Sequence, residues 1–178
     1  MKQKGMVTDM ADFTIRQAVR EDSRTVFRFI EGIAAYEKMS DEIEGTAGDV
    51  ERTLFDEHQA EALIAEEDGN PVGFALYFFN YSTFKTKHGL YLEDLFILPE
   101  YRGKGYGKKL LLELTKIAHN RNCGRMEWCC LDWNTPSIEF YKSLGAVPMS
   151  EWTTYRLNEE QLAAYAAKLS GGGETAGS

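Results

Sequence analysis

The chain has 178 residues, with 20 Lys plus Arg against 28 Asp plus Glu and a formal net charge of −8. That length fits one domain with a substantial core. The acidic balance argues against a nucleic-acid surface and suits a cationic ligand, and no run of about 18 apolar residues marks a membrane span.

Residues 1–11 read as a flexible leader without the apolar core of a signal peptide. Phe13, Ile15 and Ala18 begin a strand, and Asp22 or Ser23 is suited to cap the helix that follows. Val26, Phe27, Ile30, Ile33 and Ala34 recur at helical spacing, so that helix buries one face and ends near Tyr36 to Met39. Residues 40–48 form a polar loop, and 49–55 a short second helix. Strands at 62–66 and 72–79, joined by the turn sequence Asp68-Gly69-Asn70-Pro71, make an antiparallel hairpin. A polar loop covers 80–88. The run 90–98 is a buried strand interrupted by Glu93 and Asp94, which simple alternation sends to opposite faces, so the two cannot share one task. Helix 105–121 turns Leu110, Leu111, Leu114, Ile117 and Ala118 inward. A strand at 126–131 and a helix at 137–144 follow, with Pro136 in the first helical turn and Gly145 just past the end. A last strand within 146–157, an amphipathic helix at 158–169 and a flexible tail at 170–178 complete a single domain spanning 12–169. Mixed strands and helices of this order give an α/β fold.

The stretch from Tyr91 to Gly107 carries the chemistry. Pro99 stops the strand because it has no N–H for a ladder. Arg102, Gly103, Gly105 and Gly107 then lead into the helix. Such glycines turn several N–H groups toward one point, and the helix dipole adds partial positive charge there, which makes a cradle for a phosphorylated ligand. A plain glycine-rich turn is the competing reading. The spacing is neither that of the P-loop nor that of the dinucleotide fingerprint. His58, His88 and His119 are scattered and show no metal spacing. Cys123, Cys129 and Cys130 are an odd set with two adjacent members, which points to reduced thiols and a cytoplasmic protein.

Arg102-Gly103-Lys104-Gly105-Tyr106-Gly107 resembles the pyrophosphate loop of the GNAT superfamily of N-acetyltransferases. Ala35-Tyr36-Glu37, Tyr91-Leu92-Glu93-Asp94, Tyr101-Arg102-Gly103, Trp133-Asn134, Phe140-Tyr141-Lys142 and Gly145-Ala146 extend the resemblance to its diamine acetyltransferase branch, of spermidine/spermine and thialysine type. The resemblance runs from about Phe13 to about Arg156. It implies a GNAT fold, with a mixed, mostly antiparallel central sheet flanked by helices and splayed between its fourth and fifth strands. It also implies acetyl-CoA as co-substrate, no metal, and a homodimer. The pantetheine would pair with Leu95, Phe96 and Ile97, the pyrophosphate would sit on Gly103 to Lys108, and Asn134 and Ser137 would reach the rest of the cofactor.

Attack of an amine on a thioester needs no enzyme nucleophile. The amine must lose a proton, although a free alkylamine titrates near about 10.4, and the departing thiolate needs a proton. Glu93 is the candidate base, with a structural acid as the other reading. Tyr141 is the candidate acid at the sulfur, or else a core aromatic. The resemblance assigns Tyr36 and Glu37 to the acceptor site, with Ser82, Thr83 and Tyr155. Tyr81-Ser82-Thr83 is similar to the thialysine type, where the polyamine-specific members carry an acid at the Ser82 position. The expected acceptor is therefore a small primary amine: a diamine, a polyamine or a lysine-like amino acid. The alternatives are a protein lysine or N-terminal acetyltransferase and a non-catalytic acyl-CoA-binding module.

Overall fold

The structure, a computed structural model, describes residues 11–171; the rest of the expected leader and tail, 1–10 and 172–178, lie outside the described residues. Five strands form one sheet in the order β1 (Phe13–Gln17), β2 (Glu61–Glu67), β3 (Asn70–Ser82), β4 (Lys87–Ile97) and β5 (Arg125–Trp128). The first three pairings are antiparallel and the fourth, β4 with β5, is parallel. The β2–β3 hairpin turns on Asp68 and Gly69, at φ 51° and 77°. Two successive positive φ values match the right-handed twist of the strands they join. The β3 and β4 strands reach further than the expected loop at 80–88 allows, so only 83–86 connect them. Cross-strand pairing of Asn80 with Gly89 and Tyr81 with His88 absorbs the rest.

Helices α1 (Ser23–Glu37) and α3 (Tyr106–Asn120) cover opposite faces of this sheet. Neighbouring residues of a strand point to opposite sides. Phe96 meets α1, where its ring lies 2.8 Å from the place a Cβ on Gly32 would occupy, whereas Leu95 and Ile97 lie near Gly107 of α3. Under α1, Val26 and Phe29 pack fully buried with Ile64, Phe74 and Phe96, and the Phe29 and Phe74 rings stack at 5.4 Å. Each such side chain contributes about 1.5–3 kcal/mol by burial. Helix α2 (Ala47–Glu51) runs on into a π-helical turn at Arg52–Asp56.

Asp22 does not cap α1 through its side chain. Its carboxylate accepts instead from both terminal nitrogens of Arg16, at 2.6 and 2.9 Å, and from the Val19 N–H at 2.8 Å. A bidentate guanidinium is the stronger partner for a nearly buried carboxylate.

Contacts divide the chain after Cys129 into two compact units. The first carries the sheet and α1–α3. The second carries α4 (Thr135–Ser143) and α5 (Glu159–Gly171). Within it, Asn134 caps α4 by accepting the Ser137 N–H at 3.4 Å, and Gly145 takes the left-handed position past its end, at φ 85°. The strand expected within 146–157 does not form among the described residues. Val147, Met149, Trp152 and Tyr155 are 77%, 62%, 74% and 91% exposed, so β-branched and aromatic residues there find no pleated partner to pack on. Helix α5 continues to Gly171, two residues into the segment expected as tail.

Candidate active site

Chain direction builds the first part of the site. Pro99–Tyr101 forms one 3-10 turn after β4, and Arg102 is extended. Gly103 and Gly105 then adopt φ 78° and 81°, and α3 starts at Tyr106 with no side-chain cap. A Cβ at either glycine would meet nothing within 4 Å, so backbone conformation rather than space demands glycine there. Lys109 is the first residue of α3 to donate back along the chain, to the Gly105 carbonyl at 3.1 Å; the amides of residues 103–108 have no backbone acceptor among the described residues. Six unclaimed amides at a helix N-terminus suit a diphosphate.

The side chains of this loop have partners within the protein. The Arg102 Nε donates to the Ile97 carbonyl at 2.9 Å, and its guanidinium stacks on Tyr36 at 4.8 Å and Phe96 at 5.5 Å. The Lys104 Nζ donates to both carboxylate oxygens of Glu67, at 2.8 and 2.9 Å. Tyr106 is buried, stacks on Phe13 at 4.0 Å and donates its hydroxyl to Glu67. Lys104 and Tyr106 therefore offer a diphosphate their amides only, and Lys108 adds an exposed ammonium.

The second part lies on β4. Pairing with β5 covers residues 89–92 against 125–128 and stops, which leaves 93–97 without a strand partner on that side among the described residues. On the other side, the register with β3 slips between Leu76, opposite Asp94, and Tyr77, opposite Leu92. Glu93 is the extra residue of a β-bulge. The slip interrupts alternation at Glu93, and Asp94, two residues before Phe96 and in register with Leu76, lies on the side of β4 that packs on α1. Asp94 is half-buried, and its carboxyl is pushed up to about 6, first by desolvation, then by the negative charges of Glu93 and Glu37. Glu37 is the last residue of α1, and burial raises its carboxyl too. Glu37, Glu93 and Asp94 thus form one acidic group in that the charges of the first two reach the Asp94 carboxyl. Asp94 was missed in the sequence because the bulge left no sign there. Leu95, Phe96 and Ile97 put their side chains into the packing against α1 and α3, so what they offer a ligand is backbone.

Other expected residues fall elsewhere. Ser82 is 4% exposed and its Oγ accepts the Lys85 N–H at 3.4 Å within the hairpin turn; Thr83 is exposed at the tip. Six positions of strand, roughly 20 Å, separate Ser82 from Leu76, the partner of Asp94. The fold of this chain does not bring Ser82 and Thr83 to Glu93. In the second unit, Asn134 is buried at the head of α4, Ser137 and Tyr141 are half-buried on that helix, and Tyr155 is exposed on an irregular segment.

The sequence pattern of the Acetyltransferase (GNAT) family matches residues 17–146. The chain belongs to this family. A thialysine N-epsilon-acetyltransferase of Bos taurus is 34% identical over 171 residues, covering 89% of this chain and all of that protein. An L-ornithine N5-acetyltransferase of Arabidopsis thaliana is 45% identical over 92 residues, 52% of this chain and 40% of that one. Among solved structures, an integron cassette protein from the mobile metagenome of V. cholerae superposes with a TM-score of 0.73 at 29% identity, over 86% of this chain and 97% of that one. The family match crosses the boundary between the two compact units. This GNAT acetyltransferase falls in the diamine and thialysine branch, has the mixed open sheet expected of it, and carries no group of metal-ligating side chains among the described residues. No helix among the described residues is long and apolar enough to cross a membrane.

Proposed function

We propose that the protein transfers an acetyl group from acetyl-CoA to a side-chain amine of a thialysine-like or ornithine-like amino acid, or of a short diamine, by direct attack with both substrates bound. One observation carries the reading: unclaimed amides at residues 103–108 stand at the end of the same strand that presents Glu93 and Asp94 beside Glu37. The likeness to a thialysine acetyltransferase along that protein's whole length supports the acceptor class. Acetyl-CoA supplies the reactive thioester when bound. The amides of 103–108 would hold its diphosphate, and the backbone of Leu95, Phe96 and Ile97 its amide-bearing arm.

The carboxylates attract the cationic acceptor, and Glu93 takes its proton, directly or through water. Asp94 and Glu37 hold the remaining charge of the acceptor beside Tyr36. Tyr141 donates a proton to the leaving sulfur, and Asn134 and Ser137 support the cofactor; these three roles rest on the family resemblance. So does a homodimer, in which Ser82, Thr83 and Tyr155 complete an acceptor site. Cys123, Cys129 and Cys130 form no disulfide among the described residues, which supports the cytoplasm as the compartment. The test is a turnover screen with acetyl-CoA over thialysine, ornithine, lysine, putrescine, spermidine and a lysine peptide. Preference for the amino acids is the expected result. Turnover of the peptide alone, or no rise in melting temperature with acetyl-CoA, overturns the proposal.

A further inference from the structure

We infer that Glu67, outside the glycine loop and far from it in sequence, is a positioning residue that pre-forms the diphosphate cradle by clamping Lys104 and Tyr106. The inference rests on the acetyl-CoA reading above and deepens it. Gly103 and Gly105 impose no stiffness of their own, because glycine has the most backbone freedom to lose on ordering. Something else must hold the loop if its amides are to converge before a ligand arrives.

Glu67 is the last residue of β2 and lies directly opposite Phe13 of β1. Its carboxylate accepts the Lys104 ammonium on both oxygens, at 2.8 and 2.9 Å, and also the Tyr106 hydroxyl. Phe13 stacks on the Tyr106 ring at 4.0 Å. The Lys104 ammonium also lies 5.0 Å from the Tyr101 ring and 5.8 Å from the Tyr106 ring. One carboxylate on the rigid sheet therefore ties down both the residue between the two left-handed glycines and the first residue of α3. Lys104, then Tyr106, hold the Glu67 carboxyl below the usual carboxylate range, so the clamp is closed at neutral pH.

A second consequence is electrostatic. With its ammonium neutralised by Glu67, Lys104 presents its N–H to a diphosphate without a mobile side chain crossing the loop. A clamp of this kind acts on donor binding and leaves the chemical step alone. It lowers the conformational cost of closing the amides around the phosphates.

The experiment compares wild type with Glu67→Gln and Glu67→Asp, using Glu113→Gln, which breaks the ion pair to Lys116 at 3.0 Å further along α3, as control. Backbone order parameters of residues 103–108 by NMR relaxation without ligand, coenzyme A binding by calorimetry and steady-state kinetics are read on each. Losing a charge-assisted clamp is expected to raise the coenzyme A Kd and the acetyl-CoA KM roughly tenfold in Glu67→Gln. Order parameters at 103–108 fall, the acceptor KM and kcat hold within about twofold, and Glu67→Asp recovers part of the loss. Unchanged order parameters and unchanged coenzyme A affinity in Glu67→Gln overturn the inference. So does a uniform fall in kcat and melting temperature with no KM change, which is the mark of a purely structural ion pair. Failure of wild type to bind coenzyme A overturns the functional reading itself and this inference with it.

Discussion

Replacing Asp94 by asparagine tests the electrostatics of the acidic group directly. The carboxyl titrates near about 6 in the folded protein against 3.8 in the open, chiefly through desolvation, with Glu93 and Glu37 adding to it. That difference corresponds to about 3 kcal/mol of unfavourable ionisation in the folded state. The sign follows from linkage. Between pH 3.8 and about 6 the folded state holds a proton that the unfolded state has released, so stability falls as pH rises through this window and levels above it. An amide at this position carries no such charge. The Asp94→Asn variant is therefore expected to match wild type near pH 4 and to exceed it by about 2–3 kcal/mol at pH 8, on the order of 5–10 °C in Tm for a chain of this size. Urea denaturation at both pH values measures it. Acetyl transfer to the cationic acceptor should fall while stability rises, the pattern of a site that stores unfavourable charge for use. A variant no more stable than wild type at pH 8, or one retaining the wild-type slope between pH 4 and 6, refutes the account.

Three further outcomes follow from particular contacts. Asp22→Ala should lose about 1–3 kcal/mol, because it strips the half-buried Arg16 of one of its two carboxylate partners, leaving Glu66 at 2.8 Å, and orphans the Val19 N–H; a denaturation midpoint shift worth under about 0.5 kcal/mol would contradict the burial argument. Gly105→Ala forces a Cβ into φ 81°, at a cost of about 1–2 kcal/mol, and coenzyme A affinity measured by calorimetry should drop with it; unaltered affinity would mean the loop has another way to face the phosphates. Arg102→Lys removes the donor to the Ile97 carbonyl and the flat surface stacked on Tyr36, so the acceptor KM should rise more than the acetyl-CoA KM; the reverse order would return the guanidinium to the phosphates.

Much of this was legible in the residues. The turn at Asp68 and Gly69, the Pro99 stop, the glycine loop and the apolar periodicity of α1 and α3 are local signals, and each element formed where its signal lay. Four features were not local. The bulge at Glu93 depends on how β3 and β4 slide past each other, and nothing in Tyr91-Leu92-Glu93-Asp94 distinguishes it from regular alternation. Ser82 looked like a loop hydroxyl because the strand pairing that buries it reaches beyond the apolar run, through Asn80 and Tyr81. The residues at 146–157 have strand-forming composition, yet they form no strand, because a strand needs a partner edge that composition cannot supply. Glu67 gave no signal at all, since its importance comes from what the fold puts beside it.

The half-paired state of β4 has a consequence for what can lie along it. A free backbone edge will accept almost any extended chain, including a neighbour's, and is a common start of aggregation. Here the free length is 93–97, it opens on a bulged glutamate, and its final carbonyl, on Ile97, is already taken by Arg102. A visiting polypeptide strand would meet a carboxylate at one end and an occupied acceptor at the other. An arm bearing one or two amides needs only the few groups between, so the length of the gap discriminates by size, admitting brief guests and turning away long ones.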